Sequence, residues 1–146
     1  MKTRQHLRFR RQQCGAAATE FALVAVIFLA LVIAVIEFAR LMFIYSTAVE
    51  ATRLGARIAV VCSVADEAKV KARMKGMLSI LEPANINIAY PAAGCSAASC
   101  DPVTVTIQNL TVTAAIPLVP LTFTVPAFST SLPAESLDST NNPLCT

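Results

Sequence analysis

The longest uninterrupted apolar run lies near the start of the chain, from Phe21 to Ile36 (FALVAVIFLALVIAVI), and leaves no polar position on any helical face. A helix that is hydrophobic all round belongs in apolar surroundings. These 16 residues rise only about 24 Å as a helix. Adding Ala16 to Thr19, with the single acid Glu20, gives 21 residues, close to the roughly 20 that a bilayer core requires. No proline and only one glycine lie between Ala16 and Cys62. The pattern therefore predicts a transmembrane helix that continues past the membrane as a stem, about 70 Å in all.

Beyond the stem the period changes. Ser63 to Asp66 reads as an N-cap box opening a second helix, with Val70, Met74, Met77, Leu78 and Leu81 at helical spacing and Pro83 at its end. From Asn85 to Tyr90 the residues alternate, and Pro91 to Pro102 is a loop of small residues. Val103 to Thr113 (VTVTIQNLTVT) reads as a strand or as a hairpin through Gln108-Asn109, and Leu121 to Val125 as a further strand. Prolines at 117, 120, 126, 133 and 143 confine the last segments to edges and loops. The expected class is α+β: a long N-terminal transmembrane helix, a second helix and one small antiparallel sheet of three or four strands.

Composition supports the membrane reading, since 55% of the residues are hydrophobic and the mean hydropathy is +0.62. Charge supplies the orientation. Lys2, Arg4, Arg8, Arg10 and Arg11 precede the span without an acid among them, and such flanks stay cytoplasmic. From Ala16 onward 7 basic residues face 9 acidic ones, so the formal +3 is no footprint for nucleic acid. Glu37 and Arg40 stand three apart and can pair where the run ends. Lys69, Lys71, Arg73 and Lys75 fall off the apolar stripe of the second helix and read as a solvated face, with Glu67 placed to pair with Lys71.

Cysteines stand at 14, 62, 95, 100 and 145. A cut between Cys14 and the span leaves four, which in an oxidising compartment are expected to pair. Three connectivities are open; Cys95 with Cys100 and Cys62 with Cys145 is the favoured set. Ala51, Gly55 and Ala59 form a small-residue ridge on the stem, fit either for a partner helix or for this chain's own domain.

The chemistry concentrates in Arg10-Arg11-Gln12-Gln13-Cys14-Gly15-Ala16-Ala17-Ala18-Thr19-Glu20-Phe21. The small residues precede the oily run, the reverse of a secretory signal peptide with its terminal small-residue site. Glycine suits a scissile junction because it neither obstructs a protease nor holds the chain in the helical path. Glu20 is costly in an apolar setting unless paired. It can favour the helix N-terminus through the macrodipole, or it can answer a cationic amine created by proteolysis.

Here the sequence resembles the type IV prepilins, and most closely the TadE-like family of pilus-assembly proteins of the tight-adherence system. Ile36-Glu37-Phe38-Ala39-Arg40 and Ala51-Thr52-Arg53-Leu54-Gly55-Ala56-Arg57 resemble further patterns of that family. The resemblance implies cleavage by a prepilin peptidase between Gly15 and Ala16, and pairing of Glu20, beside Phe21, with the new amine of a neighbouring subunit during assembly. It implies a leader over 1–15, a transmembrane helix and periplasmic extension over 16–62, and an exported domain over 63–146. The expected place is the bacterial inner membrane, single-pass, with the C-terminal domain periplasmic. The expected partners are the membrane, the peptidase, other pilins or pseudopilins and the platform proteins of a pilus used in cell adhesion, with no nucleic acid.

A pseudopilin or minor pilin is thus the first reading. A type II secretion-like pseudopilin, a TadG-like component and an unprocessed membrane-tethered periplasmic scaffold are the alternatives. No enzyme and no cofactor are expected. The sole histidine, His6, lies in the leader; Asp101, Glu135 and Asp138 stand in loops; and Cys95 and Cys100 lack redox-pair spacing.

Overall fold

The computed structural model describes the backbone of residues 3–116 and 120–145, and the side chains of 15–116 and 120–145. Lys2, Arg4, His6, Arg8, Arg10, Arg11, Cys14 and Pro117 lie outside the described side chains. Two compact units divide the chain, Met1–Ala39 and Arg40–Thr146. One helix, α1 (Thr3–Ala59), contributes to both.

In the first unit α1 carries the apolar run, and its large side chains from Phe21 through Ile36 are exposed apart from the half-buried Val32. This is the one helix among the described residues long and apolar enough to cross a membrane, as the pattern predicts.

The second unit is built on the last third of α1. A 3-10 turn (Val64–Asp66) leads into α2 (Glu67–Met77), and a second 3-10 turn (Pro83–Asn85) leads into the strands β1 (Ile86–Ala89), β2 (Val103–Ile107), β3 (Thr111–Thr113), β4 (Thr122–Thr124) and β5 (Phe128–Leu132). The predicted α+β class is the observed one. Instead of one sheet there are two: a three-stranded sheet in the order β1-β2-β5 and a separate pair, β3-β4, all antiparallel.

Neither a single strand over Val103 to Thr113 nor a hairpin through Gln108-Asn109 forms, because the chain leaves the first sheet there. Asn109 takes a left-handed φ of 55°, a region asparagine tolerates. The Asn85 amide holds the turn by donating to the carbonyls of Gln108 and Asn109 at 3.3 and 3.0 Å.

The core lies between the sheet and the helices. Ile86 and Ile88 of β1 and Val103, Val105 and Ile107 of β2 are buried at every second position, the period a half-buried strand requires. Val70 and Met74 enter the core from α2, while Leu78 and Leu81 enter it after the helix has ended. The helix thus stops before Pro83, at Leu78, whose extended backbone breaks the pattern, and Met77 is left exposed. The capping box is replaced by a division of labour. The Ser63 hydroxyl accepts the Ala65 N–H at 3.4 Å, whereas Asp66 caps α2 only by position.

The small-residue ridge faces inward. Ala51, Gly55 and Ala59 are buried in the second unit, and a Cβ on Gly55 would stand 2.4 Å from the Met74 sulfur. Of the two uses open to this ridge, a partner helix or the chain's own domain, the structure has the second: the chain's own core fills it.

Candidate functional site

Gly15 sits inside α1, where glycine costs roughly 0.5–1 kcal/mol relative to alanine. Among the described residues, and apart from its chain neighbours and the adjoining helix backbone, no atom lies within 4 Å of where its Cβ would stand, so packing there does not demand the residue. What glycine supplies at this position is backbone freedom. One residue on, the Ala16 carbonyl accepts the Thr19 hydroxyl at 2.8 Å, a local bond that competes with the helical ladder.

Glu20 is exposed and Phe21 is 75% exposed. Glu20 stands four residues after Ala16, hence on the same helical face about 6 Å further along the axis. Ala16 is exposed as well.

The other sequence candidates fall within the second unit. Cys62 and Cys145 are bonded, with Cα atoms 5.6 Å apart, and so are Cys95 and Cys100, at 5.2 Å; this is the favoured connectivity. The basic face of α2 is matched by acids: Lys71 with Glu67 at 2.6 Å, Lys69 with Asp66 at 3.1 Å and Lys75 with Glu82 at 3.1 Å. That agrees with a solvated face. Asp101, Glu135 and Asp138 are exposed, and Asp138 accepts the Thr140 N–H at 2.9 Å.

Two contacts were invisible to spacing. Residues 135–139 lie along the end of α1. The N–H groups of Glu135 and Asp138 donate to the carbonyls of Val60 and Val61, at 3.0 and 2.9 Å. The Ser136 hydroxyl donates to Val61 at 3.0 Å, and the Ser63 N–H donates to the Ser139 hydroxyl at 2.8 Å. The second contact joins the Arg40 guanidinium to the Thr113 carbonyl. Partners separated by more than 70 residues leave no local trace in the sequence.

Neither a curated protein nor a solved structure matches the chain. The model of the family described as TadE-like protein matches residues 15–57, the stretch that opens on Gly15 and carries Glu20, the apolar run and the ridge residues Ala51 and Gly55. Over this segment the chain is similar to the TadE-like family.

Proposed function

We propose that this protein is a non-catalytic pseudopilin or minor pilin of a tight-adherence pilus, assembled from the inner membrane with its second unit in the periplasm. The observation that carries this reading is the placement of Glu20. It is an exposed carboxylate at the head of an uncovered apolar helix, five residues after a glycine that packing does not require. In a bilayer a lone charge at a helix centre costs about 2.5–3.5 kcal/mol, and less toward the surface. Cleavage after Gly15 would liberate an amine of ordinary pKa about 7.7–8.0, cationic at neutral pH, and bringing it to a neighbour's Glu20 offsets the cost for both subunits.

With the ridge at Ala51, Gly55 and Ala59 occupied internally, packing between subunits falls to the apolar run. A TadG-like or type II secretion-like role would use the same leader chemistry with different partners.

Mass spectrometry of protein extracted from membranes of its native host is the test. A mature N-terminus at Ala16 supports the proposal; functional protein that keeps residues 1–15 would favour the unprocessed scaffold and end it. Gly15→Val should block cleavage. Glu20→Ala should leave insertion and cleavage intact while lowering recovery in cross-linked pilin complexes, and equal recovery of mutant and native protein would remove the assembly role of Glu20.

A further inference from the structure

Within the second unit a groove runs between α1 and α2. Leu54 and Ile58 line it from the first helix, Ala72 and Gly76 from the second and Leu144 from the tail, around a volume of about 540 Å³. At Leu54 it meets a neighbouring hollow of about 520 Å³, walled by Glu50, Arg53, Arg57 and Met77. Met77 and Leu144 are 43% and 55% exposed, so the core uses neither. Gly76 widens the opening. Apart from its chain neighbours and the adjoining helix backbone, no described atom lies within 4 Å of where its Cβ would stand, and Gly94 is the one described glycine with a positive φ. Neither packing nor backbone conformation inside the unit therefore asks for a glycine at 76, a residue that weakens a helix.

Charge sets the groove apart from the rest of the unit. From Arg40 to Thr146 seven basic residues balance seven acidic ones, and Lys69, Lys71 and Lys75 of α2 are each held by an acid of the same chain. Arg73 also borders the groove and has an interaction of its own. Arg53 meets Glu50 at 2.6 Å in an exposed pair, which is of small value, and its planar fork keeps donors to spare. Arg57 has no ion-pair partner among the described residues. The macrodipole favours a cation in this last turn of α1, which accounts for the charge but not for the bare Met77 in the same hollow.

We propose that this groove is the docking site for an acidic amphipathic segment of another protein, with apolar side chains seated on Leu54, Ile58 and Met77 and carboxylates on Arg53 and Arg57. Such a contact lies on the second unit alone and needs no cleavage at Gly15, so it goes beyond the pilin reading. Hydrophobic grooves take amphipathic segments by their apolar face, and arginine is the charged residue enriched in protein interfaces. A second copy meeting this face across a two-fold axis would set arginines against arginines. A bilayer surface is flat and leaves a hollow between two helices unfilled.

The photo-cross-linking residue benzoylphenylalanine, placed at Met77 of the full chain in membranes of its native host, tests the proposal, beside the same probe at Asn87, which is exposed on β1. An adduct is expected at 77 and not at 87, and its partner peptide should prove rich in Asp and Glu on sequencing. Arg57→Glu should lower the yield about tenfold, and a lysine in place of the partner's acid should restore it. Because Arg57→Glu also opposes the helix end, Gly76→Leu is the second variant: it fills the groove from a position with open space around it, and should abolish the adduct while both disulfides persist. Adducts to lipid, to a second copy of this chain or to a peptide without acids would each overturn the proposal. So would no adduct at 77, equal labelling at 87, or a yield that either variant leaves unchanged.

Discussion

Gly55 and Gly15 share one helix and have opposite surroundings. At Gly55 an added methyl would press on Met74, with the sulfur at 2.4 Å and Cγ at 3.0 Å, and Met74 is fully buried. Alanine gains about 0.8–1.0 kcal/mol of helix propensity, while overpacking a filled core costs about 1–3 kcal/mol. Gly55→Ala should therefore lose about 1 kcal/mol net. In a Met74→Ala background the clash is gone and the same change should gain about 1 kcal/mol. A double-mutant cycle by denaturant unfolding in detergent reads the difference, and additivity would show that Met74 does not set the requirement.

Asp66 gives the residue scale its pH dependence. Hydrogen bonding from Ser139, with Lys69 beside it, holds its carboxyl below the ordinary aspartate range, and Thr140 does the same for Asp138. A depressed folded-state pKa contributes stability above the unfolded value of about 3.9 and loses it as pH falls through the lower folded value. Asp66→Asn should lower the melting temperature at neutral pH and shrink the further drop between pH about 5 and about 3. A variant with an unchanged acid limb would exclude Asp66 as its source.

At the scale of elements, the end of α1 is completed by the tail. A helix leaves its last carbonyls without helical partners; here the turn after Ala59 supplies donors to Ala56 and Ile58, residues 135–139 in turn supply donors to that turn's Val60 and Val61, and Cys145 locks the segment to Cys62. That bond closes a separation of 83 residues, the other only 5. Chain entropy gives about 4–5 kcal/mol for the long loop and about 2 kcal/mol for the short one. Cys145→Ser should therefore destabilise the second unit about twice as much as Cys100→Ser, measured by thermal unfolding of the full chain in detergent. Equal losses would mean that the tail's hydrogen bonds suffice without the bond.

The same elements show what the sequence could convey. The span and the Gly15–Glu20 constellation were legible because they rest on uninterrupted apolarity and on chemistry at short spacing. β5 was not. Its inward position Thr130 meets the Thr52 hydroxyl at 3.3 Å instead of supplying an apolar residue, and Pro126 and Pro133 bracket it like a loop. The ridge of small residues was legible as a close approach but not as to whose helix approached, since Met74 lies 19 positions away from Gly55 and no local period connects them.

For the whole molecule the decisive quantity is the balance between an uncovered apolar helix and a disulfide-tied domain that contains its own core. Nothing in the second unit's core requires the residues from Phe21 to Ile36, so charges placed there should alter residence and leave the fold alone. Each lysine near the centre of a span costs about 2.5–3.5 kcal/mol of insertion. Val26→Lys combined with Phe28→Lys therefore removes about 5–7 kcal/mol, comparable to the advantage that keeps a single helix in the bilayer. The double variant should pass from the membrane pellet to the alkaline-carbonate supernatant while retaining both disulfides, read as non-reducing gel mobility after thiol blocking. Loss of the Cys62 to Cys145 bond together with release would mean that the second unit needs the inserted helix to fold, and the two units could then no longer be treated as energetically separate.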